Sequence, residues 1–356
     1  MSGPADLSVV ICSLNGAAGV ARCLDALAAQ QVGARIEIIV VDDGSVDGTG
    51  DVAEVRGATV VRHPVNRGLA VARNSGLAVA TAPVVAFLDD DCEPTPHWAA
   101  ALLKAHEEGA AGVGGPVVPA GKPGFMLGYL TRNNPLSPLE LDLAHSENLL
   151  YRFSLYLRAQ WQPQRRTGRR EVYALPGANM SFRREALLDV AGFDERFRFG
   201  AEDTDLCLRW IREAQARLVF DPRVQILHHF TTSLRDSLRR SRSYGHGAAR
   251  LYRKWPSLSL TIFPGPVAAL CLLLASAWLP VCLLMAAALP LALYPKSVRT
   301  AMLCRRFACL ADAYVQLLQE AAHDWGYLHG LWHYRNMSPE ASAVGGLTAG
   351  AMGDGG

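Results

Sequence analysis

The sequence lacks the features that would assign it to several common classes. Its 35 Lys and Arg residues against 33 Asp and Glu residues leave a formal net charge of +2, so the overall charge gives no support for nucleic acid as a partner. Eight cysteines occur without a C-x-x-C pair, which favours a reducing compartment over a disulfide framework. The first apolar run follows no basic segment, so we expect no signal peptide and a catalytic part that stays in the cytosol.

Two nucleotide-binding motifs are also missing. No G-x-G-x-x-G follows a predicted strand, and no G-x-x-x-x-G-K-[ST] occurs. The absence of these motifs argues against a dinucleotide-binding Rossmann domain and against a P-loop nucleotide-binding protein. What the sequence does contain, from residue 7 to about 118, is a series of short apolar strands alternating with helical patterns. This alternation predicts an α/β fold with a mainly parallel sheet covered by helices on both faces.

Polar residues follow the predicted strands at the points where the strands end. In such sheets, ligands bind at the carboxyl ends of the strands, so these residues should converge on one cleft. They are Ser13, Asn15, Asp42, Asp43, His63, Asp89, Asp90 and Asp91.

Three adjacent carboxylates, Asp89 to Asp91, end the apolar run that begins at Val84. A hydrated turn needs only one of them, and three neighbouring anions repel one another. Hard divalent cations such as Mg²⁺ or Mn²⁺ take oxygen ligands, commonly one or two carboxylates together with substrate phosphates. Asp89 and Asp91 can diverge around such a cation while Asp90 points elsewhere. A capped turn without a metal is the structural alternative.

Two further groups are candidates for chemistry. In GAEDTDL, Glu202 and Asp203 precede a helix, and one of them suffices as its N-cap, which leaves Asp203 as a candidate general base. His228 ends a later strand-like run and is a plausible additional metal ligand, although a structural histidine is the more common case at such a position.

The C-terminal third has a different composition. Residues 255–295 contain no charged residue and no histidine, and basic residues flank them on both sides. We expect a membrane hairpin or a two-pass segment bent near Pro280, with both flanks on the cytosolic side. A buried helix pair of a soluble protein is the alternative. Residues 296–335 show apolar positions at spacings of three and four, which predicts one amphipathic helix that lies on a membrane, packs on the catalytic domain or pairs with a second copy. The tail, 336–356, is expected to be disordered.

Six stretches in this order resemble the family 2 glycosyltransferases, which have the nucleotide-diphospho-sugar transferase fold called GT-A. They are SVVICSLNG, EIIVVDDGSVDGT, NRGLAVARNSGLAVATAPVVAFLDDDCEP, PGANMSFRREALLDVAGFDERF, GAEDTDLCLRW and ILHHFTTS. The resemblance covers roughly residues 7 to 233. It implies a catalytic domain over 1–235, with a nucleotide-sugar half to about 118 and an acceptor half over 119–235, followed by a basic juxtamembrane segment over 236–254.

The resemblance also implies a role for each motif. Asp42 or Asp43 would contact the nucleobase, in a donor site that includes Ser13, Asn15 and Asp90, and Arg73 would be a further nucleotide contact. Asp89 and Asp91 match the D-x-D motif, with Asp91 as metal ligand and Asp89 towards the ribose or the metal. Asp203 matches the base of the E-D motif, with Glu202 beside it, and His228 matches a position that completes the metal site in some members.

The expected activity is a metal-dependent, inverting transfer of a hexosyl or deoxyhexosyl group. The donor would be a nucleotide-diphospho-sugar, and the acceptor a hydroxyl of a lipid-linked or cell-envelope glycan at the cytosolic face of the cytoplasmic membrane. A non-catalytic nucleotide-sugar binder with the same fold is the alternative. A sugar-1-phosphate nucleotidyltransferase is a weaker rival, since no Gly- and Lys/Arg-rich triphosphate loop is found near the N-terminus.

Overall fold

In a computed structural model, residues 4–138, 149–161, 168–214, 217–255 and 262–337 are described. The strands within them are β1 (Leu7–Ser13), β2 (Ile36–Asp42), β3 (Thr59–Arg62), β4 (Val84–Asp89), β5 (Cys92–Pro94), β6 (Gly112–Gly114), β7 (Val117–Ala120), β8 (Arg170–Glu171), β9 (Asn179–Arg183), β10 (Leu218–Phe220) and β11 (Ile226–His229).

A large mixed sheet forms the centre of the molecule, with the strand order β3-β2-β1-β4-β9-β6-β10-β8. The first four of these strands run parallel, and β9 is antiparallel to both β4 and β6. Val84 to Leu88 are all buried because helices cover both faces of the sheet. The predicted α/β fold with a mainly parallel sheet is confirmed.

Helices account for most of the remaining described residues. They are α1 (Ala17–Ala28), α2 (Thr49–Val55), α3 (Leu69–Val79), α4 (Trp98–Glu107), α5 (Phe125–Arg132), α6 (Leu149–Trp161), α7 (Arg184–Asp189), α8 (Glu202–Ala214), α9 (Leu234–Lys254), α10 (Pro264–Ala275), α11 (Val281–Leu293), α12 (Pro295–Cys304) and α13 (Ala311–His333). The expected apolar face of α1 is buried through Val20, Leu24 and Leu27.

A second sheet, with the order β5-β11-β7, stands beside the carboxyl end of β4. Its middle strand, β11, runs antiparallel to β5 and parallel to β7. Only the turn at Asp90 and Asp91 separates β4 from β5, so the triple aspartate joins the two sheets.

The single amphipathic helix expected over 296–335 is wrong. Helix α12 ends at Cys304, and the next residue, Arg305, has a left-handed backbone conformation with φ 52°. A short 3₁₀ turn over Phe307–Leu310 then precedes α13. The helix ends here because the left-handed conformation cannot continue the α-helical hydrogen bonds.

Helix α13 packs closely against α9 through glycine. A Cβ atom added to Gly245 would lie 2.0 Å from the carbonyl oxygen of His323, and one added to Gly326 would lie 2.0 Å from that of Arg242. The buried side of α13 consists mainly of small and polar residues together with Val315 and Tyr327, and the predicted apolar stripe faces outward. Trp325 and Trp332 are each 62% exposed.

The described part of the uncharged segment forms two short helices, α10 and α11, which contact each other. Residues 276–280 connect them, at the place where a bend was expected. Among the described helices, no single one is both long and apolar enough to cross a membrane; α11 and α12 pass that test only as a pair bent by 69°. Of the tail expected to be disordered, all but residues 336 and 337 lie outside the described residues.

Candidate active site

The strand register brings His228 to the triple aspartate. In the β11–β5 pair, His228 lies opposite Cys92, and the backbone N–H of His229 donates to the carbonyl oxygen of Asp91 at 2.9 Å. His228 Nε2 therefore comes within 3.2 Å of Asp91 Oδ1 and 3.9 Å of Asp89 Oδ2. Three predicted metal ligands from two separate motifs meet at one point.

The electrostatics of this cluster suit a cation. Burial and the neighbouring charges of Asp89 and Asp90 raise the pKa of Asp91 to about 8. Burial lowers the pKa of His228 to about 4, so its imidazole is neutral and able to ligate. His228 Nδ1 is buried without a hydrogen-bond partner in the described part of the chain. Two carboxylates and a neutral imidazole form a donor set that fits Mg²⁺ or Mn²⁺.

Cys92 completes a group, with Asp91 and His228, whose candidate ligand atoms lie within 4.8 Å of one another. Burial raises the pKa of the Cys92 thiol well above its usual value, so the sulfur carries its proton. A protonated thiol is a poor ligand for a hard cation. We therefore assign Cys92 to the core that supports the site.

Asp90 has a different partner from the other two carboxylates. It accepts a short hydrogen bond from the hydroxyl of Ser13 at the end of β1. A Cβ atom at Gly16 would overlap the Asp90 carboxylate, at 2.0 Å from Oδ2, so glycine is needed there. Burial raises the pKa of Asp90 to about 6.

Asp42 and Asp43, at the end of β2, are saturated by donors of the protein itself. Asp42 accepts from the backbone N–H groups of Ser45 at 2.8 Å and Gly50 at 3.1 Å. Asp43 accepts from His63 Nδ1 at 2.6 Å and from the N–H groups of Arg67 and Gly68, both at 2.9 Å. Their nucleobase contact stays a prediction, and their observed role is to fix the loops around the cleft.

Asn15 fixes the loop that follows β1. Its backbone is left-handed, with φ 56°, and its side-chain oxygen accepts from the N–H of Val46 at 2.9 Å. The predicted contact of Asn15 with the donor is not tested by these bonds.

Arg73 on α3 links two of the predicted motifs. It is 2% exposed, and its guanidinium donates to Glu202 Oε1 at 2.7 Å, to Asp89 Oδ1 at 3.3 Å and to the carbonyl oxygen of Gly177 at 3.0 Å. Burial, with Asp203 close by, raises the pKa of Glu202 to about 7 although Arg73 opposes the shift. Glu202 therefore holds Arg73, and Arg73 holds Asp89.

Asp203 is the half-buried carboxylate of the E-D pair, and it lines a large cavity. Its Oδ2 accepts from the N–H of Gly177 at 2.9 Å, and its Oδ1 accepts from the N–H of Thr204 at 2.7 Å. A Cβ atom at Gly177 would lie 2.8 Å from Asp203 Oδ2, so a side chain there would displace the carboxylate. These bonds fix the orientation of the Asp203 carboxylate on the cavity wall.

A buried ionic network anchors the helix that carries Asp203. Asp205, which is fully buried, accepts from Lys254 Nζ at about 3.0 Å and from Trp255 Nε1 at 2.9 Å. Arg209 Nε donates to the same carboxylate at 3.0 Å. Because Lys254 and Trp255 end α9, this contact fixes α8 against the C-terminal helices.

The cavity, of about 780 Å³, lies between the sheet and the C-terminal helices. Asp89, Arg73, Glu202 and Asp203 form part of its wall. Helix α9 supplies another part, through Arg240, Ser243, Tyr244, Ala248, Leu251 and Tyr252. The domain boundary expected at residue 235 thus does not separate the site from the C-terminal helices, because the segment over 236–254 is a wall of the cavity.

Several residues of the site were not found from the sequence. Gly177 binds Asp203 through its backbone N–H, which leaves no side-chain signal except its place in the PGAN stretch. Arg240 affects the pKa of both Asp91 and His228, although the sequence indicated only a basic face.

Two protein-family models match the chain. The model of glycosyl transferase family 2 matches residues 8–190, and that of glycosyl transferase family group 2 matches residues 143–295. A pre-mycofactocin glycosyltransferase of Mycobacterium tuberculosis is 33% identical over 268 residues, which are 72% of this chain and 50% of that protein. A glucosyl-dolichyl phosphate glucuronosyltransferase of Haloferax volcanii is 26% identical over 215 residues, 54% of this chain and 59% of that protein.

The fold has a counterpart among solved structures. A mannosyltransferase from Pyrobaculum calidifontis, in complex with GDP-Man and Mn²⁺, superposes with a TM-score of 0.53 at 19% identity, over 93% of this chain and 88% of that one. This likeness bears on the fold alone, which is the GT-A fold. The chain spans about half to 60% of the length of the two curated relatives named above. On the family match and the fold, the chain belongs to glycosyl transferase family 2.

Proposed function

We propose that the chain transfers a sugar from a nucleotide-diphospho-sugar to an acceptor hydroxyl, with a divalent metal and with inversion of the anomeric centre. The observation that carries the proposal is the meeting of Asp89, Asp91 and His228 at one edge of a cavity that Asp203 also lines. A pure nucleotide-sugar binder would not need an oriented carboxylate such as Asp203 on that cavity.

Asp91 and His228 would hold the metal, with Asp89 beside them towards the donor. A divalent metal bound there would stabilise the negative charge that develops on the departing diphosphate. Fixed by Arg73, Asp89 is directed into the cavity, and Arg240 brings a positive charge to the same wall. The mannosyltransferase with the similar fold was solved with Mn²⁺ and a nucleotide-sugar, which supports the proposal of a divalent metal and a nucleotide-sugar donor.

Asp203 would remove the proton from the attacking hydroxyl. A single displacement with one base inverts the anomeric configuration, whereas retention through a covalent intermediate requires a second carboxylate as nucleophile. The neighbouring acid, Glu202, is occupied by Arg73 at 2.7 Å and is 5% exposed, so it is poorly placed to serve as that nucleophile.

The acceptor is proposed to be lipid-linked or an envelope glycan, with the reaction at the cytosolic face of the cytoplasmic membrane. Helices α10 and α11 expose apolar side chains, among them Leu274 at 61%, and the link between them exposes Trp278 at 84%. Such a surface is costly in water and favourable in a lipid leaflet. Lys296, Arg299, Arg305 and Arg306 follow it and suit anionic headgroups.

The outer face of α13 continues the apolar surface. The hydroxyl of Tyr314 donates to the carbonyl oxygen of Ala287 on α11 at 2.9 Å, which joins the two surfaces. Trp325 and Trp332 are exposed on α13, and the Arg335 guanidinium lies 4.6 Å from the ring centre of Trp332. Tryptophan beside arginine is typical of the membrane interface. Pairing of two copies through 296–335 is the competing use of this face.

The decisive experiment compares wild-type protein with Asp203→Asn in donor hydrolysis and sugar transfer, using a panel of nucleotide-diphospho-sugars with Mn²⁺ or Mg²⁺. We expect turnover to fall by roughly a hundredfold or more while Mn²⁺-dependent donor binding survives, because a base acts in the chemical step. Turnover at the wild-type rate in Asp203→Asn would show that Asp203 is not the catalytic base. Donor binding without any turnover by the wild-type protein would favour the non-catalytic binder.

A further inference from the structure

Three histidines outside the active site lie together where α9 packs against α13. His246 lies on α9, and His329 and His333 lie on α13, in the stretch HGLWH. Residues four apart on a helix share one face, and two histidines at this spacing are a recurring arrangement for binding a single metal ion. The ring centre of His246 is 5.3 Å from that of His329 and 5.4 Å from that of His333. Two helices thus bring three imidazoles to one place.

The spacing of these rings is close to that of a metal site. Zn–N bonds of about 2.0–2.1 Å at tetrahedral angles place the centres of two ligating imidazoles about 5 Å apart. Both pairs that include His246 have this spacing, whereas the ring centres of His329 and His333 are 6.5 Å apart. The nitrogen atoms of the three rings do not all lie within 4.8 Å of one another. Because His329 and His333 are exposed, their rings can turn towards His246 without disturbing the core.

His246 is already held in the manner of a metal ligand. It is 6% exposed, and its Nδ1 lies 3.3 Å from the hydroxyl oxygen of Tyr334. In many metal sites an oxygen atom holds one nitrogen of the ligating histidine, which leaves the other nitrogen for the metal. Burial, with His329 and His333 close by, lowers the pKa of His246 to about 4. Its imidazole is therefore neutral at pH 7 and able to ligate.

The ligand atoms of this group favour Zn²⁺ over the hard cations. None of the three histidines forms an ion pair with a carboxylate among the described residues, so the group lacks the oxygen ligands that Mg²⁺ and Ca²⁺ require. Imidazole nitrogen is a preferred ligand of Zn²⁺. Helix α13 ends at His333, and the partial negative charge of a helix C-terminus stabilises a cation bound there.

Two positive neighbours on α9 oppose a cation at this place. The charge of Arg242 contributes to the lowered pKa of His246, but Arg242 is exposed, so water and salt screen it. The Arg250 guanidinium lies 5.2 Å from the ring centre of Tyr334, on the far partner of His246 rather than on the histidines themselves. The net affinity therefore depends on all three imidazoles acting together.

We propose that His246, His329 and His333 bind one Zn²⁺ ion, which holds α13 against α9. Water fills the remaining ligand position, as in other sites with three protein ligands. The ring centre of His246 also lies 4.3 Å from that of Phe199, a cavity-lining residue in the loop that leads into α8. The ion thus stabilises the cavity wall from outside the active site. The proposal does not depend on the proposed function.

The test titrates full-length protein with Zn²⁺ in competition with a chromophoric chelator, and follows thermal unfolding in parallel. The background is Asp91→Asn, because Asp91, Cys92 and His228 form a second group that offers ligands to Zn²⁺. We expect binding of one Zn²⁺ per chain in this background, with a rise in Tm, since an ion that binds only the folded state stabilises it.

In the same background, His329→Gln and His333→Gln should each weaken Zn²⁺ affinity by about tenfold or more and remove the rise in Tm. Both side chains are exposed, so the variants should fold and have an unchanged Tm without metal. His97→Gln is the matched control, because His97 is also exposed and belongs to no group of three candidate ligands in the described part of the chain. Its Zn²⁺ affinity and Tm should equal those of the background.

Unchanged Zn²⁺ affinity in both glutamine variants of α13 would overturn the proposal, because the ion would then lie elsewhere. Absence of Zn²⁺ binding in the Asp91→Asn background would overturn it as well. Failure of the proposed function is seen in a different measurement, as absence of Mn²⁺-dependent nucleotide binding and of sugar transfer by the wild-type protein. That result leaves the Zn²⁺ titration unaffected.

Discussion

Two pairs of carboxylates stand at the ends of two parallel strands of one sheet and look alike in the sequence. Asp42 and Asp43 follow β2, while Asp89 and Asp91 follow β4 two strands away. The first pair accepts five hydrogen bonds, four of them from backbone N–H groups of nearby loops. At the second pair, the protein offers few partners: the Arg73 guanidinium donates to Asp89 at 3.3 Å, and the His228 imidazole lies 3.2 Å from Asp91.

The difference shows how one motif serves two purposes. A carboxylate that receives several N–H donors is stabilised as an anion and fixes the backbone around it. A carboxylate that is desolvated among other anions holds its proton until a cation arrives, and this is the state of Asp91, with a pKa raised to about 8. The pair at β2 should therefore matter for stability, and the pair at β4 for metal and activity.

Asp91→Asn should have the largest effect, on activity. Loss of a charged metal ligand is expected to lower kcat/KM by roughly a thousandfold, because stabilisation of the leaving diphosphate is lost. Steady-state kinetics at several Mn²⁺ concentrations measures it. Fold stability should be unchanged or higher, since an amide replaces a buried carboxyl group whose charged form the fold disfavours. Wild-type kinetics in this variant would show that no catalytic metal binds at the turn after β4.

Asp43→Asn should instead destabilise the fold. An amide in this position cannot accept from all three donors, and its NH₂ group would face the N–H groups of Arg67 or Gly68. We expect the free energy of unfolding to fall by about 2–3 kcal/mol, measured by urea denaturation.

Asp25→Asn is the control for that measurement. The side chain of Asp25 is 66% exposed and pairs only with Arg56 among the described residues, so its loss should change the free energy of unfolding by less than about 0.5 kcal/mol. If Asp43→Asn were equally neutral, the donors around Asp43 would not be what distinguishes the two strand ends.

Asp90→Ala tests whether the middle aspartate shares the metal. Because Asp90 accepts from Ser13, and His228 pairs with Asp89 and Asp91 among the described residues, we expect Mn²⁺-dependent nucleotide affinity to weaken by less than about tenfold. Asp91→Ala, measured in the same titration, should weaken it by about a hundredfold or more. Equal losses in the two variants would mean that the three carboxylates act as one anionic patch.

The variant Glu320→Gln tests whether hydrogen-bond donors alone keep a buried carboxylate ionised. Glu320 accepts from Tyr156, Tyr294 at 2.7 Å and Gln316, yet burial still raises its pKa from 4.5 to about 7. Since the folded state disfavours the anion, the stability of the wild-type protein should decline between pH 4.5 and about 7.

The glutamine variant carries no such charge. Its advantage in free energy of unfolding should therefore grow over that interval, by about 3 kcal/mol, and stay constant above it. Denaturation curves at pH 5 and pH 8 measure the change. A constant difference between the two pH values would show that the three donors already compensate for burial.

The sequence indicated where chemistry should occur because strand ends follow a general rule. Parallel strands carry their ligands at their carboxyl ends, and the run over 84–88 is too apolar to be anything but a buried strand. Asp203 and His228 were predicted through their motifs, and the structure brings both to the edge where Asp89 lies. The donors to Asp43 were not predictable, because Arg67 and Gly68 are 24 and 25 residues away in the chain.

Periodicity predicted the helix at α13 but could not predict which of its faces is buried, for a physical reason. The stripe over Trp325, Leu328 and Trp332 predicted one face of a helix, without a means of choosing its neighbour. The structure buries the other face, where Gly326 and Gly330 allow the α9 backbone to approach. Large apolar residues usually mark the buried face, but close backbone contact through glycine reverses that rule here.

The sequence by itself determined the parallel strands, the positions of the carboxylates and the composition of the C-terminal segment, since these depend on residues close together in the chain. Only the tertiary structure decided that Asp42 and Asp43 are saturated while Asp91 is not. It also decided that α9 is a wall of the active-site cavity. Both outcomes depend on desolvation and on donors from distant segments, which no local pattern encodes.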